Sequence, residues 1–171
     1  MIRRARAAIG AIAAFHLAAL LAVAPAVAAE RGPVTNLPIP RYVSLKTSEG
    51  NARRGPSTAQ RIDWVFTRRD MPLEIIDEYE NWRQVRDRDG ATGWVHYSLL
   101  SGSRTVIVER DFASLRQSPE DDAPAVANVE AGVVARLGEC SVEWCRISAE
   151  GYRGWIRKAA LWGVAADETR D

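Results

Sequence analysis

From residue 41 onward, apolar and polar positions alternate in short runs that are broken by glycine, proline, serine and aspartate. Tyr42-Val43-Ser44-Leu45, Ile62-Asp63-Trp64-Val65-Phe66, Leu73 to Tyr79 and Trp82 to Arg86 all have the period-two, β-branched and aromatic character of half-buried strands. Asp89-Gly90 then reads as a tight turn into a further strand, Gly93 to Tyr97. No segment up to Leu100 sustains a helical period. A second series follows the short link Ser101-Gly102-Ser103: Thr105 to Val108, Val126 to Val129, Val133 to Leu137, Trp144 to Ile147 and Gly154-Trp155-Ile156. The pattern predicts an all-β protein.

The two series are copies. Gly93-Trp94-Val95 recurs as Gly154-Trp155-Ile156, and Trp82-Arg83-Gln84-Val85 as Trp144-Cys145-Arg146-Ile147. Further back, Arg53-Arg54-Gly55-Pro56 is echoed by Arg116-Gln117-Ser118-Pro119. A repeat of this length means two units of one fold, so the chain divides into 41–102 and 103–164, with a polar tail at 165–171 that is expected to fray. Three prolines between Arg31 and Pro40 disfavour helix and central strand, so 29–40 reads as an extended leader.

The N-terminal segment changes the picture of where the protein works. Arg3, Arg4 and Arg6 precede an apolar run from Ala7 to Val23, and Ala26-Val27-Ala28 supplies a small-x-small cleavage site. That is the layout of a cleaved signal peptide over 1–28, with export to the periplasm or cell envelope. An uncleaved anchor is the alternative, since the run approaches spanning length. No later segment is long and apolar enough to span a membrane. Without those three arginines, 23 basic residues become 20 against 22 acidic ones, so nothing points to nucleic acid.

Cys140 and Cys145 are the only cysteines, and in an exported chain a close pair is expected to be oxidised. Alignment of the repeats on Trp82 and Trp144 places Cys140 opposite Glu78 and Cys145 opposite Arg83. Opposite charges in one copy and two thiols in the other suit side chains that face each other across paired strands. A structural metal site would need four ligands, and beyond the signal segment His96 is the sole histidine. No metal or cofactor is expected.

Asn51-Ala52-Arg53-Arg54-Gly55-Pro56, Asn81-Trp82-x-x-Val85 and Gly93-Trp94-Val95 resemble the bacterial SH3-like domain, and the second copy resembles it more loosely, with Ser118 where that family has glycine. The resemblance implies two five- to six-stranded, strongly bent SH3-like β-barrels. It also implies an envelope role as a non-catalytic module that binds peptidoglycan, its stem peptides or partner proteins.

Trp82, Trp94, Trp144 and Trp155 recur at matching positions, which marks them as scaffold, as it does Gly93 and Gly154. Large aromatics are expected to fill much of so small a core. Arg53 and Arg116 precede equivalent turns, like Gly55 and Pro56 in the first copy, and read as ties from turn to barrel. Trp64, Tyr79 and Tyr97 have no aromatic counterpart in the second copy, so they are the ligand-binding candidates: a shallow groove rimmed by Arg54 and His96. No catalytic residue is assigned, because His96 is the only histidine base and the thiols are expected to be bonded. The expected function is an exported binding module for peptidoglycan or its stem peptides. The alternatives are an adaptor for an envelope protein and, remotely, a cell-wall hydrolase.

Overall fold

The computed structural model describes residues 30–171; the segment expected to be a signal peptide, 1–28, lies outside them. The first copy forms β1 (Arg41–Leu45), β2 (Gly50–Arg53), β3 (Ile62–Phe66), β4 (Pro72–Tyr79), β5 (Trp82–Arg86) and β6 (Thr92–His96). A 3₁₀ turn at Tyr97–Leu99 and β7 (Leu100–Ser101) follow. The second copy repeats this as β8 (Thr105–Val108), β9 (Ala113–Arg116), β10 (Ala125–Val129), β11 (Val134–Cys140), β12 (Trp144–Ala149) and β13 (Tyr152–Arg157). It ends in a 3₁₀ turn at Lys158–Ala160 and β14 (Leu161–Trp162).

Each copy is one seven-stranded sheet, in the orders β3-β2-β6-β5-β4-β1-β7 and β10-β9-β13-β12-β11-β8-β14. Both orders are open, which corrects the expected barrels: β3 and β7 do not pair to close the first sheet, nor β10 and β14 the second. The higher strand count has a simple cause. β7 and β14 are two-residue strands, too short to show any alternation, that add to β1 and β8. No α-helix occurs among the described residues, and no helix there is long and apolar enough to cross a membrane.

Each sheet bends over its own core. Ile39, Leu45, Ala52, Phe66, Leu73, Ile75, Val85 and Val95 make the first; Val106, Val108, Leu115, Leu137, Ile147 and Ile156 are central to the second. Phe66 is the only aromatic in either cluster. Aromatic filling is therefore replaced by aliphatic packing, while Trp82 and Trp144 are buried outside these clusters and Trp94 and Trp155 only half-buried. The glycine of each Gly-Trp pair has a steric cause. A Cβ on Gly93 would stand 2.8 Å from Cβ of Ala52, and one on Gly154 2.9 Å from the Arg116 carbonyl oxygen. Arg53 donates to the carbonyls of Thr58 and Gln60, and Arg116 to that of Ala123, holding each turn. Ser118 fits because its counterpart Gly55 is not among the residues with positive φ.

The leader is not extended. Residues 31–38 close on themselves through an Arg31–Pro38 bridge and hydrogen bonds from Gly32 N to Leu37 O and Asn36 N to Gly32 O. Its organising centre is the Glu78 carboxylate, which accepts from the amides of Val34 and Thr35, the Thr35 hydroxyl and Arg41. Arg83, its cross-strand partner, stands 3.6 Å away. Burial pushes the Glu78 pKa up, but these donors outweigh it and hold it down at about 2. A buried carboxylate needs such donors, and a loop of free amides supplies them.

At the matching place in the second sheet, Cys140 and Cys145 are cross-strand partners joined by a disulfide. The tail does not fray, because Arg170 pairs with Cys140 through both backbone hydrogen bonds. Glu168 takes two bonds from Arg104, and Lys158 donates to the carbonyls of Ala166 and Glu168. The buried Lys158 and the partly buried Arg104 find acceptors on the returning tail, and Arg104 also donates to Gly163 O. The two sheets touch. Tyr42 packs edge-on against Trp162 at 5.4 Å, Arg104 lies over Tyr42, and Thr105 Oγ1 donates to Asp70 O at 2.7 Å. Arg68, which is exposed, donates to Gly132 O across this junction.

Two expectations follow. Thiol titration of the unreduced, denatured chain finds no free thiol, and reduction lowers stability by about 2 kcal/mol, the value for so short a loop. For Glu78, a folded pKa below the ordinary 4.5 means its contribution is complete above that pH and lost as pH falls toward 2. Glu78→Gln should cost roughly 3 kcal/mol at pH 7 by stranding the buried Arg83 and the partly buried Arg41. In denaturant melts the gap to wild type should shrink steadily below pH 4.5.

Candidate functional site

The β5–β6 pairing determines which side chains meet on the outer side of the first sheet. Trp82 stands opposite His96, and Tyr79 on β4 stands opposite Trp82, so the three share a row and therefore a face. Trp82 and His96 meet edge to face at 5.5 Å, and His96 lies 5.0 Å from the Tyr97 ring. Tyr79 and Tyr97 are 52% and 51% exposed, whereas Trp82 is buried beneath them. The result is a surface with a buried indole, a half-buried imidazole and two accessible phenols.

Its support comes from below. Arg83 is buried, donates to the carbonyls of Glu80 and Trp82, and places its guanidinium 6.0 Å from the Tyr97 ring centroid. Glu78 is the countercharge beneath Arg83. His96 Nδ1 lies 2.8 Å from Ser98 Oγ and accepts from Ser98 N. An amide can only donate, so the neutral ring carries its proton on Nε2. The Ser98–His96 contact caps the 3₁₀ turn, and among the described residues no carboxylate hydrogen-bonds to His96. Among the described residues no three metal-ligating side chains converge.

The other two candidates fall elsewhere. Trp64 sits on edge strand β3, 6.5 Å from Phe66, in register with the core residue Ala52. Arg54 pairs with Asp63, which the hydrogen bond from Arg61 holds below the usual carboxylate range. The structure thus brings together Tyr79, His96 and Tyr97, with Trp82 added, and places Trp64 and Arg54 on and beside the exposed β3 edge.

The second sheet carries different chemistry at equivalent positions. Arg157 replaces His96 opposite Trp144, with its guanidinium 4.3 Å from the indole centroid and paired to both Asp121 and Glu143. Lys158 stands where Tyr97 does, its amide bonded to Glu143 O as that of Tyr97 is to Asn81 O. A cleft of about 290 Å³ beside Arg157 is lined in part by Phe112, which is 72% exposed at φ 51°. An exposed aromatic at a backbone angle that side chains disfavour had no signal in the strand pattern.

Comparison with known proteins bears on the fold. Two similar solved structures are NlpC2 and NlpC1 from Trichomonas vaginalis, at 18% and 17% identity and TM-scores of 0.34 and 0.33. The alignments cover 72% and 77% of this chain, but the chain spans only 48% of each of those structures. No curated protein matches. The profile of the bacterial SH3 domain matches twice, over residues 46–102 and 109–163, so the chain belongs to the bacterial SH3 domain family and carries that domain in tandem.

Proposed function

We propose that this protein is an exported, non-catalytic binding module of the cell envelope that recognises peptidoglycan or its stem peptides. The observation that carries the reading is the pair of exposed phenols, Tyr79 and Tyr97, on a surface built over Trp82 and His96. The second sheet has Ser141 and Lys158 at those places, so shared packing demands do not account for them. Aromatic side chains with polar tips offer apolar area for sugar faces and peptide methyl groups, together with hydrogen bonds at the rim. Membership of a family of binding modules supports this, as do the apolar N-terminal run and a disulfide, which persists in oxidising compartments.

A second reading rests on a separate observation. Among the described residues β3 pairs with β2 alone, and it exposes Ile62, Trp64 and Val65 along its other edge. A partner protein adding a strand there would use the unpaired backbone groups, with the apolar side chains giving selectivity.

Co-sedimentation of the full chain with purified sacculi separates the two. Wall binding predicts retention that resists moderate salt and is weakened about tenfold by Tyr79→Ala or Tyr97→Ala. Retention unchanged in both variants would remove the aromatic surface from the proposal, and no retention of the wild type would remove the wall. Val65→Lys should leave sacculus binding intact and abolish strand addition only. No muropeptide release is expected in the same tubes.

A further inference from the structure

The returning tail leaves a cleft of about 470 Å³ on the second sheet. Val142, Leu161 and Val164 give it apolar walls, and Glu143, Arg157 and Lys158 are its charged members. That volume is within the range of small-ligand sites, about 300 to 1,000 Å³. The site lies where Tyr97 stands in the first sheet, and it does not depend on the wall-binding reading.

Its charges are unequally committed. Arg157 is shared between Glu143 and Asp121, whose pKa its hydrogen bond holds low. The Glu168 carboxylate, in the tail, is taken up by Arg104 and the amide of Ala165. Lys158 is only 6% exposed, and among the described residues no carboxylate forms a salt bridge with it. Its ammonium donates to two carbonyl oxygens, those of Ala166 at 3.2 Å and Glu168 at 2.7 Å. An ammonium has three donors, so one remains, on a buried cation that lacks a counter-ion, beside an apolar cleft that Ala166 also lines. Isolated buried charge is costly, and an anion that completes the pair recovers part of that cost.

We propose that this cleft binds the carboxylate end of a small apolar ligand, with Lys158 taking the carboxylate and Val142, Leu161 and Val164 its hydrocarbon body. Two sources share that chemistry: a free short-chain carboxylic acid, and the C-terminus of a peptide ending in an apolar residue.

Amide-resolved NMR titration of the full chain tests the idea with isovalerate and acetyl-Ala-Leu, each beside its neutral amide. Saturable shifts at Val142, Leu161 and Val164 are expected from at least one acid, with its amide about tenfold weaker or more. Whichever acid binds more tightly identifies the source. Lys158→Met should abolish the preference for acid over amide. Because Lys158 also holds the tail, a rim variant keeps the test independent of folding. Ala159 lies exposed at the rim of the cleft and has no part in the proposed contacts, so Ala159→Lys should tighten and Ala159→Glu weaken acid binding with melting unchanged. Equal binding of acid and amide, no saturable shift with either acid, or indifference to both Ala159 variants overturns the proposal.

Discussion

Both sheets depend on one steric permission: the absence of a side chain at Gly93 and at Gly154. Only there can β2 approach β6, and β9 approach β13, closely enough for Arg53 to pair with Trp94 and Arg116 with Trp155. Each of these pairings joins the first hairpin of its copy to the later strands, so the bend over the aliphatic core follows from it. The recurrence of Gly-Trp thus records a packing requirement in its glycine. The tryptophan beside it stays half-exposed and is under a weaker constraint.

With the frame fixed, the two copies have solved one local problem differently. The β4–β5 pair Glu78–Arg83 and the β11–β12 pair Cys140–Cys145 occupy one place in the fold. The charged solution needs further donors and recruits the 31–38 loop and Arg41. The covalent solution is closed in itself, and a flanking strand-like bridge from Arg170 suffices beside it. Each choice anchors a different flanking segment, the 31–38 loop in one copy and the 165–171 tail in the other, which is why neither segment behaves as its composition suggests.

Strand existence was legible wherever alternation ran for four residues or more, as in β3, β4 and β5, and so was the disulfide, through the register of the repeats. β2 and β9 were hidden because their residues belong visually to the turns they enter. β7 and β14 were too short to alternate. The prolines of the leader correctly argue against helix, but they carry no information about a carboxylate 40 residues away that would fold it. At the site, Tyr79, His96 and Tyr97 were reachable by asking where the copies differ, yet Trp64 differs too and lies at another edge. The same question, asked of the second copy, would have raised Lys158 and Arg157; only burial separates a committed cation from an uncommitted one.

The contact between Tyr42, Arg104 and Trp162 couples the two sheets across a short link. Domains on a slack tether sample many separations, and the second capture event then depends on linker statistics. Here the aromatic surface and the cationic cleft are held on opposite partners of a packed junction. Were both proposed sites to engage one polymer, it would meet them as a caliper: matching intervals gain avidity, and mismatched ones are left with a single weak foothold.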